Sequence, residues 1–302
     1  MKRREFVKLC GATASAGIIP LVSAAQPNLV FPTSPRERLA VSSWPFRKQF
    51  SPRGGAERLE NFPAMVVSRF HVKGIEPLND HFPSTDPGYL DIFKNALAKA
   101  GAHVVNIPTD PHGSLYDPDR KKRLAAIATA NHWVDVAAAI GSPSIRVSVT
   151  GSHAAKPDSS VALESLKAIA AYGTRKNIII NLENDDPHSE DAFFLTSIID
   201  KANTPYLRAL PDFCNSMIEK NGDEAFNDAA LKAMFQRAYN ISHVKDSEMD
   251  GDTLYRVNID KCFAIAKAAG YKGYYSMEWE GKGEPYAGTE KLIEMSVKNL
   301  TT

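Results

Sequence analysis

The sequence predicts a single-domain α/β fold, a (β/α)8 TIM barrel, and three observations carry that expectation. Eight short apolar stretches, rich in β-branched and aromatic residues, alternate with segments whose apolar positions recur at helical spacing. The alternation runs for about 265 residues, the length such a barrel needs. No G-x-G-x-x-G turn follows the first strand, as a doubly wound sheet binding a dinucleotide would require.

The elements follow in order. The first expected strand covers residues 39–46 (LAVSSWPF), the second 72–78 (VKGIEPL) and the third 103–107 (HVVNI). The fourth covers 144–149 (SIRVSV), the fifth 177–183 (NIIINLE) and the sixth 206–210 (YLRAL). The seventh covers 240–244 (NISHV) and the eighth 274–278 (YYSME). Helices are expected over 86–100, 119–140, 159–173, 189–202, 224–239 and 258–269. A last one at 289–299 would have Thr289 as its N-cap. Ala100-Gly101 and Ala269-Gly270 precede strands and read as glycine C-caps. Residues 26–38 are Pro-rich and polar, a linker ahead of a catalytic domain at 39–302.

Residues 1–25 lie outside that domain. Lys2-Arg3-Arg4-Glu5-Phe6-Val7-Lys8 precedes an apolar run and the small-residue site Ser23-Ala24-Ala25, the layout of an export signal. The paired arginines resemble the twin-arginine type, though Lys2 stands where Ser or Thr is usual. A plain secretory signal or a retained anchor is the alternative. The expected location is therefore outside the cytoplasm, in the periplasm, with no membrane attachment after cleavage. The segment carries a surplus of three positive charges, so without it the formal charge of +1 becomes −2. That balance argues against a nucleic-acid partner. Cys10 leaves with the signal, and Cys214 and Cys262 are too few for a disulfide framework.

The chemistry is expected where the strands end. The fifth closes on Glu183, the sixth on Asp212, the seventh carries His243 and the eighth closes on Glu278. The intervals are 29, 31 and 35 residues, one βα unit each, so the four side chains can converge. A strand buried beside Trp279 has no use for a lone carboxylate, which must be paired, metal-bound or catalytic. Three carboxylates and an imidazole suit Mn²⁺, Mg²⁺, Co²⁺ or Zn²⁺, and a cation relieves their mutual repulsion.

Four segments carry a resemblance: Asn181-Leu182-Glu183-Asn184, Leu210-Pro211-Asp212-Phe213-Cys214-Asn215, Ser242-His243-Val244-Lys245-Asp246 and Met277-Glu278-Trp279-Glu280-Gly281. Together they resemble the xylose isomerase-like TIM-barrel superfamily, nearest its sugar phosphate isomerase/epimerase branch, over residues 39–300. The resemblance implies metal ligation by Glu183, Asp212, His243 and Glu278, with Glu183 and Glu278 also carrying protons on opposite faces of a substrate. One position departs: Asn215 stands where the epimerases have a histidine, and an amide can hydrogen-bond a substrate hydroxyl but cannot carry a proton near neutral pH.

Other residues have two readings. Glu76 contacts substrate or makes a structural ion pair; Trp44 and Phe46 stack on a sugar or join the core. Lys245 touches substrate or supports the ligands, Asp246 caps its loop, and Arg146 belongs to an ion pair inside the barrel. His112, His153 and His188 sit in loops on the active face. Glu280 supports Glu278, and Cys214 packs.

The expected function is a metal-dependent isomerase or epimerase acting on an unphosphorylated sugar or keto-sugar through an enediolate. A lyase or hydrolase on the same site is the runner-up. A three-zinc DNA-repair endonuclease and a non-catalytic sugar-binding protein rank below it. The expected partner is a small carbohydrate, with self-association left open.

Overall fold

The structure, a computed structural model, describes residues 26–109, 113–149, 157–186 and 189–301. The export segment and His112, His153 and His188 lie outside the described residues.

Eight parallel strand positions close a barrel. β1 (Leu39–Ser42) pairs with β2 (Gly74–Glu76), which pairs with β3 (His103–Val104). β4 (Ile107–Thr109) continues the same strand position and pairs with β5 (Ser144–Val147), followed by β6 (Ile179–Glu183) and β7 (Leu207–Leu210). β8 (Ile241–Val244) joins β7 through a bridge between Asp212 and His243, the His243 amide donating to the Pro211 carbonyl at 3.0 Å. Two further strands, β9 (Ser247–Asp250) and β10 (Thr253–Arg256), form an antiparallel hairpin outside the barrel wall. β11 (Tyr274–Met277) lies between β8 and β1 and completes the ring.

The main helices are α2 (Phe62–Phe70), α3 (Pro87–Ala100), α4 (Arg120–Ile140), α5 (Ser159–Lys176), α6 (Ala192–Ala202), α8 (Glu224–Phe235), α9 (Ile259–Ala268) and α10 (Pro285–Thr301). Short α1 (Arg47–Phe50) and α7 (Asn215–Glu219) follow β1 and β7. Gly101 ends α3 at φ +66° and the Ala102 amide returns to the Leu97 carbonyl, as the Ala-Gly signal predicts.

Four parts of the fold depart from expectation. β1 stops at Ser42 because Pro45 has no amide to donate and Trp44–Phe46 coils into a 3-10 turn. Helix α2 and the β9–β10 hairpin occupy stretches without an expected element. The last helix begins at Pro285, not Thr289; Glu284 caps it by accepting the Ala287 amide at 3.1 Å, and Thr289 is buried inside the helix.

The main apolar core fills the layer between strands and helices. The barrel interior differs. A small cluster of Ala40, Val105, Leu210 and Ile241 gathers there, and beyond it runs a chain of polar side chains. Asn240 donates to Ser144 Oγ at 2.8 Å, Ser144 to Asn106 Oδ1 at 2.6 Å, and Asn106 to Glu76 Oε1 at 2.8 Å. Most of these buried groups satisfy one another, although the Asn240 amide oxygen has no hydrogen-bond partner among the described residues. Residues 26–38 dock against the barrel: Tyr239 donates to the Pro27 carbonyl at 2.8 Å, and Phe31 meets Tyr239 and Tyr274 edge-on.

Candidate metal centre and active site

Four successive strand ends deliver the site. Glu183 is the last residue of β6, Asp212 follows β7 by two residues, His243 lies in β8, and Glu278 follows β11 directly. One ligand atom from each lies within 4.8 Å of all the others, and all four residues are buried. His243 Nδ1 is 2.7 Å from Glu183 Oε1 and 3.0 Å from Glu278 Oε2. Its other nitrogen, Nε2, is 3.0 and 3.1 Å from the two oxygens of Glu76.

Asp212 shows what the cluster lacks. Its Oδ1 accepts the amides of Cys214 and Asn215, both at 2.8 Å, which fixes the carboxylate's orientation. Its Oδ2 is buried with no hydrogen-bond partner among the described residues, and Lys245 Nζ stands off at 3.7 Å. Burial pushes Asp212 well above the ordinary carboxylate range; Lys245 opposes this, and Glu183, Glu248 and Glu278 add to it. A divalent cation would supply the partner that this oxygen is missing, and the donor set fits one. The cluster could therefore bind a divalent metal.

The other members are charged differently. Burial works to raise Glu183, but His243 and Arg146 outweigh it and hold the carboxyl below its ordinary range. Glu278 is lowered likewise, by His243 and Lys245 against burial. Burial works to lower His243, yet Glu183, Glu278 and Glu76 together hold it well above the usual imidazole range. Arg146 Nε lies 2.8 Å from Glu183 Oε2, the ion pair expected inside the barrel.

Lys245 is the other cation of the site. It is buried and donates to Asn215 Oδ1 at 2.9 Å, to Glu248 at 3.1 Å and to Glu280, with Glu278 Oε2 at 3.6 Å. Asn215 lies between Lys245 and Glu183, its amide nitrogen 3.5 Å from Glu183 Oε1. Trp44 donates its indole N–H to Glu280, and the Arg47 guanidinium covers its ring at 4.3 Å. Phe46 is a core residue against Phe62, Phe70 and Tyr286. Asp246 pairs with Lys291 at 2.8 Å and accepts from Ser247 at 2.9 Å, as a loop anchor does. Glu76 is fully buried and makes the ion-pair contact with His243 in place of facing open space.

Two acidic residues escaped the strand-end rule. Glu248 sits on the β9–β10 hairpin, and burial pushes it up to about 7 against the pull of Lys245. The signal for that hairpin was Asp250-Gly251-Asp252, a turn sequence with Gly251 at φ +56°. Glu190 accepts from Ser148 Oγ at 2.8 Å and the Val149 amide at 2.6 Å, tying the β5 end to the loop after β6. Nothing in its sequence context marked it.

A family model described as xylose isomerase-like TIM barrel matches residues 66–299, and the chain belongs to that family. Solved structures share the fold at low identity. One is a xylose isomerase-like TIM barrel protein from Mycobacterium smegmatis in complex with magnesium (TM-score 0.67, 16% identity, covering 87% of this chain and 96% of that one). A second is D-psicose 3-epimerase in the presence of D-fructose (0.69, 12%, 87% and 99%). A third is the 3-keto-D-glucoside 4-epimerase from E. coli, apo form (0.64, 14%, 86% and 99%). No curated protein matches the sequence.

Proposed function

We propose that the chain is a metal-dependent sugar isomerase or epimerase that works on an unphosphorylated sugar or keto-sugar through an enediolate. The observation that carries this reading is the meeting of Glu183, Asp212, His243 and Glu278 around a buried Asp212 oxygen that has no hydrogen-bond partner among the described residues. The sugar epimerases among its structural neighbours support the substrate class. A bound divalent ion, Mn²⁺, Mg²⁺, Co²⁺ or Zn²⁺, supplies Lewis-acid stabilisation of negative charge on a substrate oxygen.

The protein's own groups move the proton. Glu183 and Glu278 are both held as carboxylates, so each can accept a proton from the carbon beside a carbonyl. Return of a proton to the opposite face inverts the centre, and return to the neighbouring carbon isomerises. Among the described residues, the two cations beside the cluster, Lys245 and Arg146, are engaged by carboxylates, which supports a substrate without a phosphate. The twin-arginine-like start supports export to the periplasm, where unphosphorylated sugars are the natural substrates. A three-zinc nuclease centre has no comparable support: among the described residues His243 is the one imidazole in the cluster.

Metal analysis of purified protein and deuterium wash-in from D₂O into keto-sugars test the reading. Uptake of about one ion per chain and exchange at the carbon beside the carbonyl are expected. Bound metal without exchange into any keto-sugar tried would refute it. Glu278→Gln should lower turnover at least ~10²-fold, the usual contribution of a general base.

Asn215 favours a second reading. An amide bonded to Lys245 replaces a proton carrier, which suits a lyase that expels a β-substituent and needs one base only. An unsaturated product or a released aglycone would identify it.

A further inference from the structure

His243 has two nitrogens, and the fold gives each a different neighbour. Nδ1 faces the oxygens of Glu183 and Glu278 at 2.7 and 3.0 Å. Nε2 faces both oxygens of Glu76 at 3.0 and 3.1 Å, on the side of the ring away from the cluster. An ionised carboxylate only accepts, so the ring nitrogen turned toward it must carry a hydrogen.

Glu76 is placed for this task and for little else. It is fully buried, and both of its oxygens are taken up by His243 and Asn106. Asn106 donates to its Oε1 at 2.8 Å. The amide of Asn106 is itself fixed, because its Oδ1 accepts from Ser144 Oγ at 2.6 Å and from Asn181 at 3.3 Å. Ser144 Oγ in turn accepts from Asn240 at 2.8 Å. Side chains from separate barrel strands thus converge to hold one carboxylate against one imidazole nitrogen.

We propose that Glu76 is the positioning residue of the metal centre: it keeps a proton on Nε2 of His243 and so presents the Nδ1 lone pair to an ion held with Glu183, Asp212 and Glu278. The assignment rests on the metal-dependent function proposed above. A carboxylate behind a ligating imidazole fixes its tautomer and ring angle and raises its basicity as a ligand. Glu76 is then needed for affinity although it touches neither ion nor substrate.

The test compares wild type with Glu76→Leu, which has similar volume and no acceptor. Zn²⁺ affinity is read by competition with a chromophoric chelator, and circular dichroism reports folding. Glu76→Leu should bind Zn²⁺ about 10–100-fold more weakly, the usual cost of losing such a partner. In wild-type protein labelled with ¹⁵N-histidine and loaded with Zn²⁺, the remaining proton of His243 should sit on Nε2. An unchanged Kd in folded Glu76→Leu, or a proton on Nδ1 in the loaded wild type, overturns the assignment and leaves the metal site standing. Wild type that takes up no Zn²⁺ overturns the metal-dependent function and the assignment together. Should Glu76→Leu fail to fold, the wild-type spectrum decides alone.

Discussion

Asp212 concentrates the cost of building this site. One oxygen is saturated by two backbone amides, and the other is buried without a partner among the described residues. Asp212→Asn keeps the acceptor for those amides and removes the buried charge. It should leave the metal-free protein as stable as wild type or more so, while abolishing the gain from metal. For the wild type that gain is about 2.7 kcal/mol at an ion concentration a hundred times Kd. Thermal unfolding with and without the ion separates the two effects. Glu190 makes a pH prediction. Burial first, and the nearby Asp185 second, push it up to about 8 from an ordinary 4.5. A carboxyl whose folded pKa is raised adds stability below its unfolded pKa and loses it as pH climbs through the folded value. Unfolding free energy should therefore fall between about pH 5 and pH 9, and Glu190→Gln should flatten the decline. Equal slopes in urea titrations of the two proteins would contradict this. At this scale the sequence was informative for the four residues of the cluster, because each lies at or beside the end of a strand. For Glu76 it left two readings, substrate contact or ion pair, because the partner His243 lies 167 residues away.

Elements hold these residues to their positions, and the turn after β11 shows how. Trp279, next to Glu278, packs on α10 where Gly288 offers no side chain. A Cβ there would come within 2.3 Å of the indole. Gly288→Ala should cost about 1–3 kcal/mol by overpacking, measured by urea unfolding, and should also disturb Glu278. A variant as stable as wild type would show that the indole moves freely. Strands β5 to β8 and the helices between them were legible, since each combines a β-branched apolar run with a partner helix of 3.6-residue periodicity. The region between β1 and β2 was not. Its helix, α2, has nine residues and follows the turn-rich stretch Ser51-Pro52-Arg53-Gly54-Gly55. The hairpin was missed because eight residues in two short, mostly polar strands carry no strong alternation.

The molecule as a whole is a barrel whose interior is polar and whose segment before β1 is docked. Residues expected to be a linker instead lie along the barrel, with Phe31 edge-on to Tyr239 at 5.4 Å and to Tyr274 at 6.0 Å between ring centres. Phe31→Ala should lower stability by about 1 kcal/mol, the worth of such aromatic contacts, without changing metal affinity. A change in Kd would mean that the two ends of the barrel communicate. Arg38 adds to the docking by donating to the carbonyls of Tyr271 and Gly273 at 3.2 and 3.1 Å. No helix among the described residues is long and apolar enough to cross a membrane.

By itself the sequence determined the barrel and the order of its four acidic or imidazole strand ends. Both follow from local rules, since periodicity chooses helix or strand and one βα unit separates neighbouring ends. Tertiary structure alone decided which groups face Glu183, Asp212, His243 and Glu278 from across the barrel. Glu76 turned out to serve the imidazole, Lys245 to lie among four carboxylates, and one oxygen of Asp212 to be left without a hydrogen-bond partner among the described residues. Those outcomes depend on contacts between residues distant in the chain, where burial makes every unmatched charge costly, and no local pattern records them.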